Sequence, residues 1–235
     1  MKSAFTIFLL FLISFPSLRA QISHPHFISL NAGTNIPIAD YKEIENINLG
    51  GAETGFSYSF EGGAYFSKYL GAALHLGVFE NGIDEDDIKA LDQQINQGGN
   101  TEELLVSSDN WVNGFFMIGP ILSFGGEKII IDFKLLGGLM NTTKPTIGIQ
   151  DQNNLDKISD EVSNTAFGFN YGLHLRIKLI GKLGIRINAE GFQSTQEFET
   201  TLNEIQNNGN SSSTEEKIEK EISALNLGGG LIFTF

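Results

Sequence analysis

The sequence predicts an all-β protein, an eight-stranded antiparallel up-and-down barrel that crosses a membrane. Three observations predict it. Apolar residues recur at every second position in eight separate segments, the period of a strand whose two faces meet different surroundings. The connections between these segments are alternately tight and long, as in a barrel with short turns on one side of a bilayer and loops on the other. The polar face of the segments is rich in glycine and nearly balanced in charge, although the chain carries a net charge of -13. Balance of that kind suits a narrow interior, where charges need partners, better than a solvated surface.

Residues 1 to 20, MKSAFTIFLLFLISFPSLRA, have the layout of a secretory signal peptide. Lys2 supplies the positive end, Ala4 to Phe15 the apolar stretch, Pro16 and Ser17 the break, and Ala20 the small residue at the cut. Cleavage before Gln21 is expected, with 21–235 as the barrel domain. Loss of Lys2 and Arg19 takes the charge from -13 to -15. Such acidity speaks against a nucleic-acid partner. There is no cysteine, so neither a disulfide nor a lipid-anchored N-terminus is available. No later run of apolar residues is long enough for a membrane helix, which leaves a barrel of half-apolar strands.

Each segment can be read in turn. Phe27–Ile36 sets Ile28, Leu30, Ala32, Thr34 and Ile36 against Ser29, Asn31, Gly33 and Asn35. Thr54–Phe66 sets Phe56, Tyr58, Phe60, Ala64 and Phe66 against Ser57, Ser59, Glu61 and Gly63. Leu70–Phe79 sets Leu70, Ala72, Leu74, Leu76 and Val78 against Gly71, Ala73, His75 and Gly77. Trp111–Phe124 carries Val112, Phe116, Ile118, Leu122 and Phe124 on one face. Pro120 interrupts it; proline cannot donate to a ladder and a closed barrel has no edge, so a bulge is expected there. Ile129–Met140 opposes Ile131, Phe133, Leu135 and Leu139 to Asp132, Lys134 and Gly138. Phe167–Leu179 has seven apolar residues on one side and Gly168, Asn170, Gly172, His174, Arg176 and Lys178 on the other. Leu183–Phe192 opposes Leu183, Ile185, Ile187 and Ala189 to Gly184, Arg186, Asn188 and Glu190. Ile222–Phe235 closes the series with Leu225, Leu227, Leu231, Phe233 and Phe235.

Tight turns fall at residues 67–71, 124–128 and 180–184, and long connections at 37–53, 80–110, 141–164 and 196–220. The tight ones are assigned to the periplasm and the long ones to the exterior. ISDEVSN and STEEKIEKEIS either extend strands above the membrane or form short helices. Phe66, Tyr69, Phe124 and Phe235 are expected in the periplasmic aromatic girdle, and Phe56, Tyr58, Trp111 and Phe167 near the outer one. Leu231, Phe233 and Phe235 resemble the C-terminal signal read by the barrel-assembly machinery.

The mature chain resembles the compact OmpA- and OmpX-like barrels, and among them the PorT-like family common in Bacteroidetes. SLNAGTNIPIADY at 29–41, the Gly119–Pro120 pair and the terminal LGGGLIFTF carry that resemblance. It implies the barrel fold and the bacterial outer membrane. Some members act in protein secretion and gliding. The chain ends with its last strand, so no peptidoglycan-binding domain is expected.

Glu61, Asp132, Lys134, His174, Arg176, Lys178, Arg186, Glu190 and His75 form the candidate interior network. The interior of eight strands is just filled by side chains, which favours a salt-bridged plug over a selectivity ring. Four histidines and no GxSxG motif give little support to a lipid-modifying enzyme; His75 and His174 read as buried partners of Glu61 or Asp132. Residues 80 to 110 hold nine acids and one base. Asp84, Asp86 and Asp87 lack the spacing of a calcium loop; they read as solvated, with shared divalent cations at surface lipopolysaccharide as the other option. No cofactor or resident metal is expected. The functional expectation is a monomeric, non-enzymatic barrel that meets a protein partner through long acidic loops, an accessory of secretion or surface assembly, with a small channel as the alternative.

Overall fold

The computed structural model describes residues 24–43, 51–85, 88, 105–150, 156–159, 161–205 and 211–235. The strands in order are β1 (Phe27–Ile38), β2 (Gly55–Tyr65), β3 (Leu70–Asn81), β4 (Leu105–Ser108), β5 (Trp111–Gly125), β6 (Ile129–Lys144), β7 (Ile147–Gln150), β8 (Asp156–Ser159), β9 (Val162–Ile180), β10 (Leu183–Ile205) and β11 (Ser211–Thr234). Eight of them close a ring of antiparallel neighbours, β1-β2-β3-β5-β6-β9-β10-β11, and β11 pairs back to β1 from Phe27↔Thr234 to Ile38↔Ser223. No edge is left at membrane level, which is what hydrocarbon requires of a sheet. Among the described residues no helix is long and apolar enough to cross a membrane.

The alternation reaches the predicted faces. Leu30, Phe56, Phe116, Ile131, Phe133, Phe169, Leu173, Ile187 and Leu231 are exposed on the outside, while Ser29, Glu61, His75, Asp132, His174, Arg186 and Asn226 are buried inside. A soluble barrel would have the reverse arrangement. Short turns join β2 to β3, β5 to β6 and β9 to β10 at the same end as His24 and Phe235. The β9–β10 turn needs the left-handed φ of +56° at Gly181, which a glycine adopts without a side-chain clash.

Two expectations are corrected. Pro120 does not create a bulge. The β5–β6 ladder opens across Gly119–Pro120 and resumes at Ile121↔Lys134 in the register held at Ile118↔Gly137. The β3–β5 ladder runs unbroken through Ala72↔Pro120. The missing donor therefore faces β6, and the cost is a local gap rather than a shift. Residues 196–220, counted among the long connections, are strand over 196–205 and 211–220, and of the two readings of STEEKIEKEIS the strand extension holds. Pairing of β10 with β11 continues outward from Gln196↔Lys220 to Ile205↔Ser211, so the STEEKIEKEIS stretch extends the last strand. The small strands β8, β7 and β4 add to the outer end of β10. Residues 1–23, which include the expected signal peptide, and Asp86 and Asp87 lie outside the described residues.

Candidate functional site

The strand register stacks the polar side chains into levels within the barrel. At the end that carries the short turns, Asp132 on β6 meets Arg176 on β9. Nε lies 2.6 Å from Oδ2 and Nη2 donates to Oδ1 at 2.7 Å, a two-pronged pair. Ser123 donates to the same carboxylate at 2.5 Å, and Tyr65 OH accepts from Arg176 at 2.6 Å. The guanidinium also lies over the rings of Phe27 and Tyr65. Below this level His24 reaches the Ser123 carbonyl through Nε2 at 3.2 Å. Burial first, then the neighbouring Arg176 cation, hold its imidazole below the ordinary histidine pKa.

The middle level is the densest. Lys134 Nζ donates to Glu61 Oε2 at 2.6 Å and to Glu190 Oε1 at 3.0 Å, tying β2, β6 and β10 together. Arg186 donates to the other Glu61 oxygen at 2.5 Å and to Ser29 Oγ at 2.8 Å. His174 Nε2 lies 2.7 Å from Glu190, and its Nδ1 contacts Arg186. His75 Nδ1 lies 3.1 Å from the Lys134 ammonium and accepts from it. Gly172 stands opposite both Lys134 and Glu190 in the ladders, and a Cβ there would lie 3.0 Å from Glu190 Cγ. Glycine makes the room that the long side chains occupy.

At these two levels three carboxylates (Glu61, Asp132, Glu190) thus face three cations (Lys134, Arg176, Arg186). Glu61, His174 and Glu190 hold donor atoms within 4.8 Å of one another. Lys134 already bridges the two carboxylates, however, so protein cations fill the role a metal would have. Lys178, expected in this network, is exposed at the short-turn mouth because its strand has passed the last level of paired charges. His174 takes Glu190 rather than Glu61 or Asp132 as its carboxylate partner, whereas His75 lies 4.0 Å from Glu61 and 3.9 Å from Glu190.

Above the charges lies a level the alternation did not reveal. Phe79, Phe115 and Phe192 pack with ring centroids 4.8 to 6.3 Å apart. Beyond them the short 3-10 turn Ala39–Tyr41 tips Tyr41 into the barrel. There Asn113 donates to Tyr41 OH at 2.9 Å and Tyr41 donates to Asn81 at 3.2 Å. Thr142 donates to Asn113 at 2.8 Å, and Trp111 lies edge-on between Tyr41 and Phe198. Trp111 is fully buried, which corrects its expected place in the outer girdle. It begins β5 on the inward parity of Asn113, and that parity was the available signal. The other girdle residues, Phe56, Tyr58, Phe66, Tyr69, Phe124, Phe167 and Phe235, are exposed, as are Leu231 and Phe233.

A closed ring with an apolar exterior belt and a neutralised polar interior defines a transmembrane β-barrel of the outer-membrane kind. Solved barrels share this fold. A major outer membrane protein of Thermus thermophilus superposes with a TM-score of 0.50 and 14% identity, over 90% of this chain and 100% of that one. The outer membrane protease OmpT of Escherichia coli gives 0.50 and 8%, over 94% and 100%. OprG of Pseudomonas aeruginosa gives 0.50 and 10%, over 92% and 98%. No family model and no curated protein sequence matches the chain. The chain is therefore an outer-membrane β-barrel protein by architecture, and these likenesses carry the fold.

Proposed function

We propose that the protein is a non-enzymatic, non-conducting interaction barrel whose extracellular segments engage a protein partner. The filled interior carries this reading. Charged, aromatic and amide levels follow one another across the lumen, and an ion would have to break the bonds of Lys134 or Arg186 to pass. The outer hairpin of β10 and β11 supports the second half of the proposal. Its outward side presents Glu197, Glu199, Glu215 and Glu219 in water around Lys217. Acidic loops of this kind suit contact with a basic surface, steered by charge. An accessory role in secretion or surface assembly, and membership of the PorT-like family through residues 29–41, Gly119–Pro120 and 227–235, belong to the same reading. So do a monomeric state and removal of residues 1–20.

Reconstitution in a planar bilayer tests the first half. The folded protein is expected to give no steady single-channel current, and reproducible steps that depend on Arg186 would replace this reading with a small channel. Photo-crosslinking from position 199 in intact cells tests the second half. One recurrent captured protein is expected, and capture of lipid alone would count against a protein partner.

A further inference from the structure

We propose that a break in the barrel wall between β9 and β10 is a docking slot for an extended, lysine- or arginine-bearing segment of a partner protein, which adds to the open edge of β9 as an extra strand. The inference deepens the reading of the protein as an interaction barrel and rests on it. β9 pairs with β10 as far as Ser194↔Gly168 and no further. On that side β10 has a neighbour again only from Leu202↔Ser159, where β8 joins it. Between the two ladders β10 advances eight residues and the β8–β9 chain nine, so one regular register cannot run through. Residues 162–167 of β9 are held on their other side by β6, and residues 195–201 of β10 by β11. Among the described residues each wall of the break is thus a strand with one paired and one open edge.

A cavity of about 740 Å³ occupies the break, lined by residues 162–166 of β9, by Thr195, Glu197 and Glu199 of β10, and by Lys217 and Glu219 of β11. It opens outward only. Behind it Phe198 is buried, and Gln196 Nε2 donates to Met140 O on β6 at 3.2 Å. Where the lower ladder stops, Ser194 Oγ donates to Phe167 O at 3.1 Å, which places that carbonyl on the β10 side. Asn164 O instead accepts from Asn141 Nδ2 of β6 at 3.3 Å. Peptide groups alternate between the two edges of a strand, so those of Ser163 and Thr165 face the slot. Open strand groups of this kind are what an added strand completes. The carboxylates decide the side chains of that strand. Glu197 and Glu219 stand directly opposite in the β10–β11 ladder, an unfavourable pairing of like charges. Lys217 reaches Glu197 at 2.6 Å, while Glu199 and Glu219 form no ion pair among the described residues. The slot therefore keeps surplus negative charge on its outward face. Every second side chain of an added strand projects to that same face, where a lysine or arginine meets a carboxylate.

The test titrates the folded protein in a nonionic detergent with a labelled hexapeptide of alternating lysine and threonine, its ends blocked, and follows fluorescence anisotropy. Two further peptides carry N-methyl groups on every lysine or on every threonine, so that each has one hydrogen-bonding edge removed. The peptide is expected to bind the parent and Glu127→Gln, a change at the short-turn end, alike. Glu199→Gln/Glu219→Gln is expected to bind it about fivefold more weakly. One of the two methylated peptides is expected to bind the parent at least about tenfold more weakly than the unmethylated one. Equal affinity in the double variant, equal affinity of both methylated peptides, or no binding of the lysine–threonine peptide would overturn the proposal. Should the peptide fail while a photo-crosslinker at position 199 still captures one protein in intact cells, strand addition falls and the partner reading stands. Loss of both takes the partner reading with it. The shift in gel migration on boiling checks folding of each variant. If the double variant does not fold, Glu199→Gln alone, expected to bind about threefold more weakly, carries the test.

Discussion

Lys134 holds two buried carboxylates from opposite sides of the barrel, so it is the residue whose loss the interior can least absorb. Lys134→Met keeps the volume but leaves Glu190 with His174 and Asn170 as its remaining partners, while Glu61 retains Arg186. An unpaired buried carboxylate costs about 3–5 kcal/mol. We expect a loss of that size in urea unfolding of the folded protein in detergent. Adding Glu190→Gln to the same background is expected to restore most of it, because the second change removes the charge left over. A single variant as stable as the parent would mean that water reaches this level. The network was legible residue by residue in the inward parity of Glu61, Asp132, Lys134, Arg176, Arg186 and Glu190. Its wiring was not, because the choice of Glu190 by His174 depends on how far apart β6, β9 and β10 hold their side chains.

At the scale of elements, the seam between β1 and β11 depends on small residues. Gly228, Gly229 and Gly230 stand opposite Gly33, Ala32 and Asn31. A Cβ on Gly230 would meet Leu30 O at 2.0 Å and Asn31 Cα at 2.8 Å, both backbone atoms that cannot swing aside. Gly230→Val is therefore expected to destabilise the barrel by about 1–3 kcal/mol, the usual cost of forcing volume into a packed site. Gly126 in the β5–β6 turn has no atom within 4 Å of such a Cβ. Gly126→Ala is expected to leave the unfolding midpoint unchanged, and equal effects at the two glycines would contradict the close approach. Glycine-rich inward faces were visible in the sequence. The gap without a shift at Pro120 was not, since composition does not say on which side of a strand the missing donor falls.

Over the whole molecule the two faces exchange character at the outer membrane boundary. Along β10 the outward set passes from Ile185 and Ile187 to Gln193, Thr195 and Glu197, while the inward set passes from Arg186 and Glu190 to Phe192 and Phe198. The outer surroundings have changed from hydrocarbon to water, and the lumen takes over the burial of apolar surface. Eight alternating segments were enough to reveal the barrel, but placing Trp111 in the outer girdle went against its own inward parity, and alternation alone did not choose between strand and helix for STEEKIEKEIS. Trp111 is the single tryptophan, so its fluorescence reports this exchange directly. In vesicles containing brominated lipid its emission is expected to be blue-shifted and scarcely quenched; strong quenching would return it to the girdle. The ring itself has a further consequence for biogenesis. Its closing ladder joins residues 27–38 to 223–234, the two ends of the described chain. Every other lipid-level ladder links strands next to one another around the ring in chain order, so this contact has the greatest loop entropy to overcome and is the slowest to be found by diffusion. Until the final strand arrives, two raw hydrogen-bonding edges and the whole greasy belt stand open to water. A chain in that state is expected to aggregate in water unless its belt is shielded, and the rate of maturation should be set by capture of the last strand.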